Sequence, residues 1–191
     1  MSTPTKSERT RLTAEDWERG ALDMIADEGV NALAIEALSK RLGVTKGSFY
    51  WHFRNRGALL EAALQRWEEH DEADVLAKIE PIADPRVRLR ALFDFVAREL
   101  PSHRIYAALL KALDHPSVLA LMARVSTRRM EFLATAYRDA GLPAATAQHR
   151  ARLTYAAYVG FMLINMTLGL PRLSHDEFDA YVDHVTETLV P

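Results

Sequence analysis

The chain has no cysteine. Disulfides, thiolate zinc sites and cysteine nucleophiles are therefore excluded, and the composition suits a reducing cytoplasm. Long hydrophobic runs are also missing. The most apolar stretch, Leu153 to Leu170, is broken by Thr154, Asn165, Thr167 and two glycines, so it reads as a buried or subunit-interface helix rather than a membrane span. The opening MSTPTKSERTRLT is polar and lacks the apolar centre of a signal peptide. No period-two alternation and no internal repeat is present. The usual catalytic signatures are absent too. His52, His70, His103, His115, His149, His175 and His184 are scattered, with no pair one helical turn apart, and there is no nucleophile elbow, phosphate-binding glycine loop or HExxH. The acidic run Glu68-Glu69-His70-Asp71-Glu72 reads as a solvated helix segment rather than a cation site. No enzymatic chemistry, metal or cofactor is expected.

What is present is an ordinary soluble composition, 49% hydrophobic and 26% charged over 191 residues, enough to bury a real core. The net charge of −2 is unevenly spread. Residues 1–60 hold nine basic and eight acidic side chains, whereas residues 61–191 hold fifteen and eighteen. Between Leu33 and Arg56, Lys40, Arg41, Lys46, Arg54 and Arg56 face only Glu36. A small basic face on an acidic body is the footprint expected of a targeted nucleic-acid reader.

Periodicity is helical almost throughout and predicts an all-α fold of about nine helices. Thr13 and Asp16 are placed for a capping box, Leu12 and Trp17 for a hydrophobic staple, and Gly29 for a helix stop. A short helix is expected at about 35–42, a tight turn at Gly43-Val44, and another short helix at 46–50 capped by Thr45. A long fourth helix follows Asn55. Further helices are expected at about 86–100, 102–113, 116–140, 144–169 and 175–189, with breaks at Pro101, Pro116, Gly141-Leu142-Pro143 and Pro171. The expected division is a unit of small helices over residues 1–56 and a larger helical unit over 57–191.

Two short helices joined by a glycine-containing turn form a helix-turn-helix. Val44 and Phe49, backed by Ile35 and Leu38, supply the apolar packing. Thr45, Lys46, Gly47 and Ser48 form a small, polar first turn able to enter a groove. The run Gly43-Val44-Thr45-Lys46-Gly47-Ser48-Phe49-Tyr50-Trp51-His52-Phe53, followed by Arg56, resembles the tetracycline-repressor (TetR) family of bacterial regulators over about residues 10–60. The resemblance implies that Thr45, Lys46, Gly47 and Ser48 lie in the major groove and that Tyr50, His52 and Arg56 meet phosphates. Lys40 belongs to the same basic face, and Trp51 either shields a backbone contact or packs. Phe49 and Phe53 hold the core. Two positions depart from the family pattern. Ala34 stands where Thr or Ser usually caps the second helix, forfeiting a cap worth about 1 kcal/mol, and Ser39 stands where Ala is usual.

The resemblance further implies a homodimer formed through the last two helices, on a palindromic double-stranded operator. The expected interface residues are Ala156, Gly160, Leu163 and Ile164, with a second stripe of Phe178, Val182 and Val185. A helix apolar on nearly every face needs both its own core and a partner. For the small-molecule inducer the candidate lining is Trp67, Phe93, His103, Tyr106, Leu110, Met122, Tyr155, Tyr158, Met162 and Asn165, suited to a mostly apolar molecule with one or two hydrogen bonds. The expected function is a ligand-released repressor of transcription, cytoplasmic and nucleoid-associated in a bacterium. The alternative is a helical interaction module that has lost DNA binding.

Overall fold

The computed structural model describes residues 12–98, 100–168 and 173–191; the N-terminal stretch up to Arg11 and the break at Pro171 lie outside them. The described residues form nine α-helices and no strand. These are α1 (Ala14–Glu28), α2 (Ile35–Arg41), α3 (Lys46–Phe49), α4 (Arg56–Ile79), α5 (Pro85–Arg98), α6 (Leu100–Leu110), α7 (Pro116–Asp139), α8 (Ala144–Thr167) and α9 (His175–Leu189). No described helix is long and apolar enough to cross a membrane.

Local chemistry accounts for the boundaries. Thr13 and Asp16 close a reciprocal capping box on α1, and these bonds from Thr13, with help from Arg19, hold the Asp16 carboxyl down at about 2. Leu12 packs against the core that contains Trp17. Asn55 Oδ1 accepts from the Ala58 amide at 2.9 Å and starts α4. Asp84 Oδ1 accepts from the Arg86 and Val87 amides at 2.8 and 3.1 Å, so α5 opens at Pro85, whose missing N–H costs nothing there. α6 runs from Leu100 to Leu110 instead of 102–113. Beyond it the chain closes shorter turns (Ala112 N–H to Leu109 O, His115 N–H to Ala112 O, both 3.0 Å), because the residue before Pro116 is forced into an extended conformation.

The core is laid in two clusters. The first joins Trp17, Ala21 and Ile25 of α1, Leu38 and Phe49 of the helix-turn-helix, Leu59, Leu60, Ala63, Leu64 and Trp67 of α4, Tyr106 and Leu109 of α6, Leu121 of α7 and Met162 of α8. The second gathers Ile79, Leu89, Leu92, Leu133, Tyr137, Ala151 and Tyr155. Tyr158 and Val159 pack against both. α1 rests on α4 and α6, while α7 and α8 form the most extensive helix pair. α9 runs antiparallel to α8. Arg150 of α8 donates to the Thr188 and Leu189 carbonyls at 3.1 and 3.0 Å, and Phe161 stacks on Tyr181 with centroids 4.9 Å apart.

Gly29 ends α1 at φ 88° and ψ 166°, a region open essentially to glycine, and a Cβ at this position would meet nothing within 4 Å. Gly29→Ala therefore adds backbone strain without a clash. Its expected cost is about 1–3 kcal/mol, read as a lower urea midpoint at unchanged slope.

Candidate nucleic-acid interface and effector site

The helix-turn-helix is built on Phe49. Its ring is fully buried and meets the Trp17 ring edge-on at 5.4 Å, with Phe53 at 5.8 Å behind it. α2 ends at Leu42, Gly43 turns at φ 69°, and the Val44 amide returns to Ser39 O at 3.0 Å. Ser39 sits inside the packing because its hydroxyl donates to the Ile35 carbonyl at 2.6 Å. Ala34 stands at the N-cap of α2 and makes no side-chain cap. Thr45 takes the same position on α3, but contrary to expectation its hydroxyl does not cap the helix.

With Phe49 held, the rest of the turn faces outward. Lys40, Thr45, Lys46 and Gly47 are exposed, Tyr50 and Trp51 are 55% and 75% exposed, and His52 is half-buried. Trp51 is thus displayed at the surface. Two expected contact residues are differently disposed. The Ser48 hydroxyl is buried with no hydrogen-bond partner, so as the helix stands it does not point into a groove. The Arg56 guanidinium is turned inward: Nε donates to the Leu33 carbonyl and a terminal nitrogen to that of Val30 at 2.8 Å. These carbonyls lie in the link between α1 and α2, at and just beyond the 3-10 turn Val30–Ala32, and the Val30 carbonyl also accepts from the Leu33 amide at 3.3 Å. Arg56 is a clasp on that link.

Several other basic side chains carry partners. Lys46 is paired with Glu36 across α2 and α3, which lowers the Glu36 carboxyl and raises the Lys46 ammonium from their ordinary values. Arg41 of α2 and Arg104 of α6 both bond Asp27 at the end of α1, Arg41 being the larger cause of that carboxylate's lowered pKa. Arg66 of α4 reaches Glu18 and Glu15 of α1 at 3.4 and 3.5 Å. Glu68, which the sequence placed in a solvated acidic run, is largely covered by Arg124 and Arg128 of α7 at 2.8 and 3.1 Å.

Of the effector candidates, the rings of Trp67, His103, Tyr106, Tyr155 and Tyr158 come together between α4, α6 and α8, and Leu110, Met122 and Met162 belong to or pack on the core cluster that holds Trp67 and Tyr106. Trp67 and Tyr106 rings lie 6.2 Å apart, Tyr106 and Tyr158 5.5 Å, and His103 and Tyr158 5.7 Å. Tyr106 and Tyr155 hydroxyls bond at 2.7 Å, and burial pushes the Tyr106 phenol well above its ordinary value. Asn165 is not brought to this group. Phe93 packs in the second cluster, and Asn165 donates to the Phe161 carbonyl at 2.9 Å. Asn165 instead lines a shallow hollow of about 450 Å³ with Ala157, Gly160, Phe161, Ile164, Leu173 and Tyr181, on the α8–α9 face. Sequence reasoning missed Arg129 of α7, whose guanidinium carbon lies 5.0 Å from the Tyr106 ring centre, 5.9 Å from that of Tyr158 and 6.0 Å from that of Trp67. No periodic signal marks an arginine of this kind, because its environment comes from three other helices.

Residues 19–63, which include the whole helix-turn-helix, match the family described as bacterial regulatory proteins, tetR family. Over that stretch the chain is similar to the TetR family. Within 53 residues it is 45% identical to the tetracycline repressor protein class A from transposon 1721 of Escherichia coli, covering 28% of this chain and 24% of that protein. The chain thus spans about a quarter of the length of the first curated relatives it matches. The HTH-type transcriptional regulator BetI of Burkholderia ambifaria is 26% identical over 174 residues, 83% of this chain and 88% of that one. Among solved structures, a TetR-family regulator from Agrobacterium tumefaciens superposes with a TM-score of 0.77 at 19% identity, over 93% of this chain and 97% of its own. A regulator from Saccharomonospora viridis, solved in complex with choline, gives 0.70 at 18% identity over 92% of each chain. The TetR fold therefore extends over nearly the whole chain, and the family's sequence likeness concentrates in α1 through the start of α4.

If Arg56 is a clasp and not a phosphate contact, Arg56→Lys keeps the charge but loses the forked bonding. The variant is expected to unfold about 1–2 kcal/mol more easily, with the salt dependence of DNA binding unchanged; unaltered stability would return Arg56 to the DNA face.

Proposed function

We propose that the chain is a ligand-responsive DNA-binding regulator of transcription, acting as a homodimer and released from a palindromic operator by a small molecule. The observation that carries this reading is the Thr45–Tyr50 segment: a buried Phe49 anchor under exposed Thr45, Lys46, Gly47 and Tyr50, within the stretch that matches the TetR family. Residues 1–56 serve as the DNA-reading unit and 57–191 as the ligand and dimer unit, with α4 opening the second and packed into the first. Thr45, Lys46 and Gly47 enter the major groove, and Tyr50, Trp51 and His52 lie along the backbone with Lys40. No catalytic step is assigned, in keeping with relatives that are regulators. The choline bound by the S. viridis neighbour supports a small-molecule site in this fold. Such a protein works on bacterial DNA, in the cytoplasm at the nucleoid.

The dimer reading rests on α8. Leu153, Leu163, Ile164, Met166 and Leu168 are 57%, 37%, 44%, 37% and 67% exposed on a single chain, and Ala156 is exposed beside them. An apolar face of this kind calls for a partner. Val182, by contrast, is 8% exposed and faces its own chain with Thr186 and Leu189, so the expected stripe on α9 serves the internal core there. Phe178 and Val185 are half-buried at its edges. The interface residues we assign are Ala156, Gly160, Leu163 and Ile164, flanked by Phe178 and Val185.

In a dimer the two α3 segments would sit about 34–36 Å apart to reach successive major grooves. Parting α4 from α6 and α7 would move the N-terminal core, because Leu59, Leu60 and Trp67 share one helix. An effector favouring the moved state by about 1–3 kcal/mol lowers operator affinity roughly 5- to 150-fold.

Fluorescence anisotropy with the inverted repeat upstream of the chain's own gene tests the reading. Lys46→Ala and Tyr50→Phe should each weaken binding and leave helicity and mass unchanged, with the log–log salt slope flatter by roughly 2 per dimer for the lysine. Glu36→Gln, which releases Lys46 from its ion pair, should tighten binding. Operator affinity equal to the parent's in both weakening variants would refute the assignment. For the interface, a Cβ at Gly160 meets nothing within 4 Å in the single chain. Gly160→Leu should therefore fold normally yet sediment as a monomer.

A further inference from the structure

We propose that the aromatic cluster is a cation cage, filled by Arg129 when no effector is bound and switched when a small organic cation takes that place. The proposal rests on the effector site named above and gives the chemistry of its ligand.

Three rings from three helices converge on one positive charge. The guanidinium carbon of Arg129 on α7 lies 5.0 Å from the ring centre of Tyr106 on α6, 5.9 Å from that of Tyr158 on α8 and 6.0 Å from that of Trp67 on α4. Each distance is within the reach at which a ring face attracts a cation. Trp67 and Tyr106 are 3% and 1% exposed, so water does little to screen the attraction. The cage is braced from outside: the Tyr106 hydroxyl bonds that of Tyr155 at 2.7 Å, and Ser126 bonds Tyr155 at 2.9 Å. Arg129 also has an interaction beyond the three rings. Its charge is therefore met, and a ligand competes with it for the rings.

A guanidinium is a weakly hydrated cation of diffuse charge, and a quaternary ammonium or an amidinium presents charge of the same kind. Such a guest needs no empty slot, because the volume it takes is the one that the guanidinium fills. Arg129 is half-buried on a long, flexible stem, so its head group has solvent to move into. An anion meets ring faces of its own sign, and a neutral molecule gains only packing there. The exchange also loosens α4. Arg129 joins α7 to Trp67 of α4, and its departure removes that link while Glu68 keeps its pairs with Arg124 and Arg128. A ligand that binds only the exchanged arrangement shifts the population toward it.

The test uses the purified full chain and isothermal titration calorimetry without DNA, with tetramethylammonium and benzamidinium as probes, tert-butanol and benzamide as their neutral counterparts, and benzoate as the anion. Both cations are expected to bind and raise Tm, and the neutral molecules and benzoate to bind at least about tenfold more weakly. Arg129→Ala, which vacates the cage, should bind the cations about tenfold more tightly, and the cations should restore the Tm that the substitution costs. Tyr158→Leu should lose several-fold in cation affinity, whereas Tyr158→Phe, which keeps the ring, should match the parent. Cation binding confined to Arg129→Ala would make the arginine a fixed structural charge and overturn the proposal. So would neutral or anionic probes that bind as tightly as the cations, parent-like affinity in Tyr158→Leu, or no binding of either cation at millimolar concentration. Operator binding is read separately on the same preparations at matched ionic strength. Cation binding in a chain that ignores every inverted repeat would defeat the regulator reading alone, and an operator complex that neither cation weakens would defeat this proposal alone.

Discussion

The architecture depends on α4 being buried on both sides of its length at once. Leu59, Leu60, Ala63 and Leu64 lie in one core with Trp17 and Ile25 of α1, and Trp67, one or two turns further on, lies against Tyr106 of α6. A helix rises about 1.5 Å per residue, so Leu60 and Trp67 are roughly 10 Å apart on one rigid rod. Interiors are close-packed, and a helix held this way shifts as a unit. The aromatic cluster and the Phe49 anchor are thereby coupled through shared packing, with α1 as the second connection because it rests on both α4 and α6.

Electrostatics reinforce that coupling at the surface. Arg66 ties α4 to α1, Glu68 ties it to α7, and Asp27 holds Arg41 of the helix-turn-helix and Arg104 of α6 together. Each of these pairs is partly solvated, so any one contributes little to stability. Their effect is geometric: they join helices on either side of the proposed DNA-reading and effector units. They also change the meaning of the basic face. Of five cations between Leu33 and Arg56, Lys46 and Arg41 are ion-paired and Arg56 is bonded to carbonyls, leaving exposed Lys40 and Arg54 as its outward charge together with whatever DNA draws away from Glu36.

The relation between sequence and structure differs by element. The capping box at Thr13 and Asp16, the stop at Gly29 and the turn at Gly43 are readable because each depends on residues within one turn of the chain. So is the recognition segment, whose small polar positions surround one buried aromatic. The inward turn of Arg56 is not readable, because its acceptors at Val30 and Leu33 are more than twenty residues away. Val182 departs from expectation for a related reason. An apolar stripe on α9 shows that the helix has something to cover, and only the docked position of α9 against α5 and α8 shows that the cover is its own chain.

By itself the sequence determined the all-α class, the helix order, the helix-turn-helix and its buried anchor, since periodicity and capping act over a few residues. It also supplied most members of the aromatic cluster as a set, because they recur at helical spacing. Tertiary structure alone decided that Asn165 falls outside that set, that Ser48 buries its hydroxyl, and that Arg129 lies over three rings from three helices. These outcomes depend on how helices are rotated and inclined against one another, and that is settled by packing the whole core together.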